Sequence, residues 1–481
     1  MFSLPVTKSA ITAMAATLLA IAFFFGPIHD IDFWWHANHG RWIFANHEIP
    51  QVDPFGIYAE INYWGKTILQ GQWAGQLILF LAYDTGGAHA VIALRAALLL
   101  GTLGLVYLRL RAAQASKAAI LLALLLLAVI LAGFGTDRPQ LFSLAAFSLL
   151  VYVLEKAAVA RAWQWGAIPL LVAWTNLHQA VLLGAVVAAT WLVVLALEDR
   201  RDGRPFADRL AAAAGALLSP LVTPNGLRGI EYAIWLEFEP AKQRISEYQS
   251  PIALLGNALQ FPHLIAYFII ALGVLAWMAH AARRKPLEVI IPGMLLAASL
   301  GTYRYIPFVA IMAMPRLAAA IRPGQPAFGV LLGVYAVAGI AAASIWMQGR
   351  LATLGEPVLQ TAFPVVMTEK FGSAIKGRVF TTVSWGGYLG WTQAGAAVPF
   401  IDGRYLMDTR RLDEYTHILW ATARGRLLLD RHDFDWVVIP VQNQFAAPGE
   451  EYRLIPYLGS HPDWELKMLT PQGVAFARRR I

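Results

Sequence analysis

Apolar runs close to the ~20 residues that cross a bilayer recur along this chain and leave it little choice of architecture. They lie at about residues 10–28, 88–108, 118–134, 139–156, 163–176, 179–197, 207–222, 262–281, 287–301, 303–320 and 327–347. A backbone in hydrocarbon must satisfy its own hydrogen bonds, so each run is expected as a transmembrane helix. Charged residues make up only 14% of the chain, against roughly 25% in soluble domains. The formal charge of +8 is therefore assigned to cytoplasmic loops rather than to a nucleic-acid-binding face. No cysteine occurs, which excludes disulfides, thiolate metal sites and thiol nucleophiles. The first run is read as an uncleaved span, because no convincing small-x-small cleavage site precedes Asp30.

The connections sort by charge. Arg109/Arg111/Lys117, Lys156/Arg161, Arg200/Arg201/Arg204/Arg209, Arg283/Arg284/Lys285 and Arg316/Arg322 form five basic clusters. Placing all of them on the cytoplasmic side satisfies the positive-inside rule. The N-terminus is then cytoplasmic and the C-terminal segment extracytoplasmic. One stretch conflicts, "WAGQLILFLAYDTG" at 73–86. It is short and carries Gly75, Gln76 and Asp84, so it is expected to lie in the interface or to re-enter.

The outer loops are then "DIDFWWHANHG" (30–40), "GTDRPQ" (135–140), "TNLHQ" (175–179), the long segment 223–261 and "GTYRY" (301–305). Almost every uncommon polar residue of the membrane part falls on that side, which points to one extracytoplasmic site. After residue 349 the pattern changes. "RVFTTV", "AVPFIDG" and "DWVVIPV" are apolar runs of strand length, and "RLDEYTHILWATARGRLLLDRHD" between the last two has helical spacing. The expected architecture is an α-helical polytopic membrane protein of about eleven spans over 1–349, with a first outer loop at 29–87 and a long outer loop at 223–261. A C-terminal extracytoplasmic α/β domain follows over 350–481.

Asp30 and Asp32 stand directly after the first span. Two carboxylates so placed either share a divalent cation such as Mg or Mn through hard oxygen ligands or repel, raising one pKa. Both arrangements suit the activation of a hydroxyl acceptor. His36 follows Asp32 by four residues, one helical turn, as a metal ligand with Asp30 and Asp32, as a base–orienter partner, or as packing among Trp34 and Trp35. The two tryptophans read first as an interfacial aromatic belt, and Trp35 also as a stacking surface for a sugar. Arg138, Arg304 and Arg244 are outer-face cations suited to a phosphate, since arginine offers a bidentate fork. His178 is expected either to contact substrate or to hydrogen-bond its own tight turn. Glu247 is expected to meet an acceptor or a metal, with Tyr248 as a neighbouring aromatic surface. Arg95, inside the second span, should be functional or paired with Asp84 or a backbone carbonyl. "WGGYLGW" offers glycines for a close backbone approach, and "DGR" (402–404) an Asp–Arg pair that fixes a strand end or a site for carbohydrate.

An acidic motif after the first span resembles the hallmark of membrane glycosyltransferases with the GT-C fold. That group includes oligosaccharyltransferases, protein O-mannosyltransferases and the aminoarabinose transferase for lipid A. The ordered set "DIDFWWHANHG…IPQVDPFG…QWAGQL", "RPQLFS", "NLHQAVLLG", "TPNGLRG", "ISEYQSP", "RYIPFVA", "WGGYLGW" and "FIDGR" is similar to a bacterial group of GT-C-like proteins over most of the chain. The resemblance implies a polyprenyl-phosphate-sugar donor and transfer outside the cytoplasm to a glycan, lipid or protein acceptor. It also implies short juxtamembrane helices in the first loop, and Asp32 or Asp30 as catalytic base. Two other readings stand beside it. One is a non-catalytic GT-C-like scaffold of envelope assembly; the other is a transporter or flippase for a lipid-linked solute, which should show a midplane polar path and inverted repeats.

Overall fold

Proline and glycine set the breaks in a largely helical chain. In the computed structural model the described residues are 24–57, 67, 70–257, 263–282, 286–320, 344, 353, 355–406, 408–441 and 452–480. Among them, five helices are long and apolar enough to cross a membrane: Trp73–Ala112, Lys117–Phe134, Gln140–Val159, Val181–Arg201 and His263–Ala281. The expected spans at 163–176, 207–222, 287–301 and 303–320 form the shorter helices Ala167–Leu177, Ala207–Leu218, Ile290–Gly301 and Ile306–Ala320. The first three continue through the 3-10 turns Arg161–Gly166, Ser219–Leu221 and Pro286–Val289. Most of the expected span 10–28, and nearly all of 327–347, lie outside the described residues.

The stretch 73–86 is helical, as expected. It opens the long helix Trp73–Ala112, which breaks at Gly86 and Gly87 before continuing as the expected second span. Gly87 has φ 61° and ψ −153°, a conformation essentially confined to glycine. Pro315 interrupts another helix, Ile306–Ala320. Proline cannot donate to the carbonyl four residues back, and Arg109 Nη1 donates to that Ile311 oxygen instead, at 2.6 Å.

The chain gathers into two compact units. One comprises residues 1–27, 89–230 and 243–355; the other comprises 28–88, 231–242 and 356–481. The first outer loop was expected to belong with the membrane part, cut from the C-terminal domain at 349/350. It packs instead with the C-terminal residues, for identifiable reasons. Ile28 bridges Val358 in parallel. The helix Val383–Thr392, which carries "WGGYLGW", lies so close to the first-loop helix Phe33–Asn46 that a Cβ on Gly387 would sit 3.2 Å from the Trp35 backbone nitrogen.

In the membrane unit, Lys117–Phe134 is the most enclosed of the five long helices, and its Leu/Ala surface packs against Ile306–Ala320. Four arginines at one end of this unit are neutralised locally. Asp199 meets Arg161 at 2.6 Å, Arg209 at 2.9 Å and Arg204 at 3.2 Å, while Glu155 meets Arg109 at 2.8 Å.

The other unit holds a five-stranded sheet in the order β2-β1-β3-β5-β4. Strands β1 (Gly377–Thr381), β2 (Ala397–Pro399) and β3 (Trp436–Pro440) fall on the three expected runs and pair in parallel. Strands β4 (Trp464–Leu469) and β5 (Gly473–Arg478) form an antiparallel hairpin, with β5 on β3. The single helix expected over 411–433 is two, Thr409–Leu419 and Ala423–Arg431. Ala421 turns the chain between them at φ 45°, and Thr422 caps the second helix by accepting the Gly425 N–H.

Candidate functional site

In the sheet-bearing unit, Asp32 occupies the N-cap position of Phe33–Asn46 without capping it. Its Oδ1 accepts the indole N–H of Trp35, one turn along, at 2.9 Å. Asp30 Oδ1 accepts the Asp32 backbone N–H at 2.9 Å, so one acid shapes the turn that presents the other. Gly403 of the "FIDGR" stretch lies against this carboxylate: a Cβ there would run into Asp32 Oδ1 and come within 3.2 Å of the Trp35 indole nitrogen. A side chain of any size at position 403 would displace Asp32.

Trp34 and Trp35 are not an aromatic belt. Trp34 is 1% exposed and packs edge-on against Tyr388 and Phe363. Trp35 is also buried, with its ring 3.5 Å from that of His36. Burial wins because the glycine-bearing helix covers this face, and one side of the Trp35 ring is closed by His36. His36 Nδ1 lies 3.3 Å from Gln76 Nε2, a partner supplied by the stretch 73–86. Among the described residues no three His, Asp or Glu side chains gather as a metal-binding set. Asp30, Asp32 and His36 therefore do not form a metal site by themselves.

Behind Asp32, the "DGR" turn forms the Asp–Arg pair expected of it. Arg404 bonds Asp402 at 2.6 Å and Asp53 of the first loop at 2.5 Å, with all three side chains almost fully buried. The Tyr405 hydroxyl donates to Asp53 as well. Burial alone would lower the Arg404 pKa, but Asp402 and Asp53 raise it further than burial lowers it. His39 Nε2 lies 3.2 Å from the same guanidinium. Burial first, and the charge of Arg404 second, hold the His39 pKa well below 6.5. The imidazole is therefore neutral. Neither His39 nor Asp53 stands out in the sequence as a site residue, although Asp53 lies in the "VDPFG" stretch.

The membrane unit brings a second set together from four separate connections. Arg138, before the helix that Gln140 begins, is ion-paired with Glu247 of the long outer loop. Arg304, in the turn between Ile290–Gly301 and Ile306–Ala320, lies with its guanidinium 4.5 Å from the Tyr248 ring. The Tyr303 N–H donates to Gln249 O at 2.8 Å, fastening that turn to the long loop. His178 is largely buried; its Nδ1 accepts the Ala180 N–H at 3.2 Å and lies 2.8 Å from Ser143 Oγ, which in turn accepts from the Trp174 indole at 2.7 Å. Burial, then Arg304 and Arg138, hold its pKa well below 6.5. Those bonds are the turn-stabilising role considered for this histidine. Burial lowers the pKa of Arg304, while Tyr248 and Glu247 raise it to a net increase. Arg138 thus bonds the Glu247 carboxylate, Arg304 feels the charge of the same carboxylate, and the imidazole beside them is neutral. Arg244 is exposed at the end of Pro240–Arg244 and makes no ion pair among the described residues.

Arg95 is paired, but not with Asp84. Its guanidinium forms a bidentate bond to the buried Asp137, at 2.7 and 2.8 Å, and donates to the carbonyls of Phe24 and Gly26. Asp137 stands beside Arg138 in "GTDRPQ", so one short motif supplies both a structural anchor and a cation of the second set.

No family model matches the chain, and no curated protein does. Solved structures do. ArnT from Cupriavidus metallidurans bound to undecaprenyl phosphate superposes with a TM-score of 0.60 at 12% identity, over 98% of each chain. The archaeal oligosaccharyltransferase AglB from Archaeoglobus fulgidus, in complex with an inhibitory peptide and a dolichol-phosphate, gives 0.54 at 12% identity, over 97% of this chain and 73% of that one. The chain has the GT-C fold. The first-loop helix Phe33–Asn46 and the segment from Trp73 to Gly86 stand where the GT-C resemblance leads one to expect helices in the first loop.

Proposed function

We propose that this GT-C protein is a membrane glycosyltransferase. In this reading it moves a sugar from a polyprenyl-phosphate donor to a hydroxyl of a glycan, lipid or protein on the extracytoplasmic side of a bacterial inner membrane. The observation that carries the reading is the presence of Arg138 and Arg304 at one end of the spans, Arg138 bonded to Glu247 and Arg304 lying 4.5 Å from the Tyr248 ring. Arginine is the side chain best shaped to bind a phosphate monoanion or dianion. The likeness to a fold solved with undecaprenyl phosphate supports the same ligand class.

The roles follow from chemistry. Arg138 and Arg304 bind the donor phosphate, which exchanges with Glu247 on Arg138. Asp32 takes the acceptor hydroxyl proton as its oxygen attacks the anomeric carbon. The bond from that carbon to the phosphate oxygen breaks with inversion, and the phosphate leaves with its electron pair, stabilised by the arginines. Asp30 holds the turn. His36, Trp35, His178 and Tyr248 shape the surroundings, and Arg244 draws anionic groups from the exposed loop. No step is assigned to a divalent cation.

The test is sugar transfer by the full-length protein in lipid nanodiscs supplied with polyprenyl-phosphate sugars. Asp32→Asn is expected to abolish transfer while undecaprenyl phosphate still binds. Arg138→Gln and Arg304→Gln should each weaken that binding about tenfold, the effect of losing ~1.4 kcal/mol. Surface glycans unchanged in cells carrying Asp32→Asn and Asp30→Asn would instead mark the protein as a scaffold.

A further inference from the structure

The helices that carry the arginine pair at one end enclose a cavity of about 470 Å3 at the other. Its charged lining comes from Arg109 in the last turn of Trp73–Ala112, Glu155 and Glu198 near the ends of their helices, Glu288 in Pro286–Val289, and Arg316. Trp191, Met312 and Pro315 supply an apolar wall. The volume falls within the ~300–1,000 Å3 of ordinary ligand pockets.

The charges are not equivalent. Arg109 and Glu155 close on each other through two bonds, at 2.8 and 2.9 Å, and are spent. Arg316 makes no salt bridge among the described residues. It donates to the Met312 carbonyl at 3.5 Å, with the Met312 sulfur at 4.0 Å, its guanidinium lies 5.6 Å from the Trp191 ring, and it feels the charges of Glu155 and Glu288. Glu198 is exposed at the cavity and has no ion pair among the described residues. A cation site and an anion site therefore face one space that is half apolar and lies at the end of membrane-spanning helices.

We propose that this cavity binds a phosphoethanolamine headgroup, supplied by a membrane phospholipid. The phosphate sits on Arg316 and the ammonium on Glu198, with the glycerol and upper acyl segments along the apolar wall. A purely anionic headgroup is disfavoured, because the Glu198 carboxylate faces the same space as Arg316. A simple amine leaves Arg316 unmatched. A trimethylated headgroup has no N–H to donate to Glu198. The inference stands independently of the transferase reading, since it concerns the opposite ends of the helices.

Native mass spectrometry of the detergent-purified full chain tests it, with dioleoylphosphatidylethanolamine, dioleoylphosphatidylglycerol and soluble O-phosphoethanolamine titrated separately. The ethanolamine lipid is expected to bind about tenfold tighter than the glycerol lipid, a ~1.4 kcal/mol preference. Arg316→Gln should weaken the ethanolamine lipid severalfold. Glu198→Gln, an exposed change that leaves folding intact, should erase the preference between the two lipids. Equal retention of both lipids by the unmodified protein overturns the proposal, as does ethanolamine-lipid binding that neither substitution alters. Binding of soluble O-phosphoethanolamine without binding of the lipid overturns the membrane source.

Discussion

The Trp35 indole N–H donates to Asp32 Oδ1 at 2.9 Å, while Gly403 leaves no room for that carboxylate to turn toward the sheet. One oxygen of Asp32 is thereby held by a neighbour on its own helix and backed by a turn from the far end of the chain. The base proposed at Asp32 must be in place before its substrate arrives, and this pair of contacts holds the carboxylate.

Trp35→Phe keeps an aromatic ring and removes the indole donor together with part of the buried ring system. Gly403→Ala pushes on the same carboxylate from behind. Each is expected to lower the transfer rate by roughly 10²-fold, the scale of an ångström-sized misplacement, with undecaprenyl phosphate affinity unchanged. Single-turnover transfer alongside equilibrium lipid binding in nanodiscs checks this. A matching loss of binding would show that the contact supports the fold rather than the base.

Arg404 neutralises two buried acids, Asp402 and Asp53. Arg404→Met strands both, and breaking such a buried pair costs about 3–5 kcal/mol. A clear fall in thermal midpoint is expected. Asp53→Asn, which leaves Arg404 its bond to Asp402, should fall less. Fluorescence-detected unfolding measures both.

His39 is buried neutral, with its pKa held well below 6.5 by burial and by Arg404. In the unfolded chain it protonates near 6.5, so below that pH the unfolded state binds more protons than the folded one. Its contribution is present above pH 6.5 and is lost as pH falls toward the lowered folded value, with a slope of up to ~1.4 kcal/mol per pH unit. The thermal midpoint should drop between pH 7 and pH 5.5, and His39→Gln should flatten that drop. His178, depressed by burial and two arginines, contributes in the same direction.

The account gives the leaving phosphate's charge to arginines. Transfer is therefore expected to survive EDTA within about twofold, the scatter of such an assay around an unchanged barrier. Loss of activity on chelation, restored by Mg or Mn, would give the Asp30–Asp32 pair a metal through the donor's own oxygens.

Much of this was legible in the sequence because it is periodic or local. Span-length runs fell on helices, three Val/Ile/Phe runs became β1 to β3, and Asp32 to Trp35 is a single helical turn. What escaped depends on contacts across the chain. Nothing in "DGR" says that Gly403 meets Asp32 or that Arg404 takes Asp53. Strand β4 was missed because "WELKML" places Glu465 and Lys467 in the run, where they form an exposed ion pair at 2.7 Å. The break at Ala421 carries no glycine or proline to announce it. For Arg95 the sequence suggests Asp84 or a backbone carbonyl; the carbonyls are there, but only packing brings Asp137, which stands beside Arg138, to it.

The most direct test is a density map of the full-length protein in nanodiscs with added undecaprenyl phosphate. The account predicts a phosphate within hydrogen-bond distance of both Arg138 and Arg304, with Glu247 displaced from Arg138. A lipid phosphate bound elsewhere, with the Arg138–Glu247 pair intact, would contradict it.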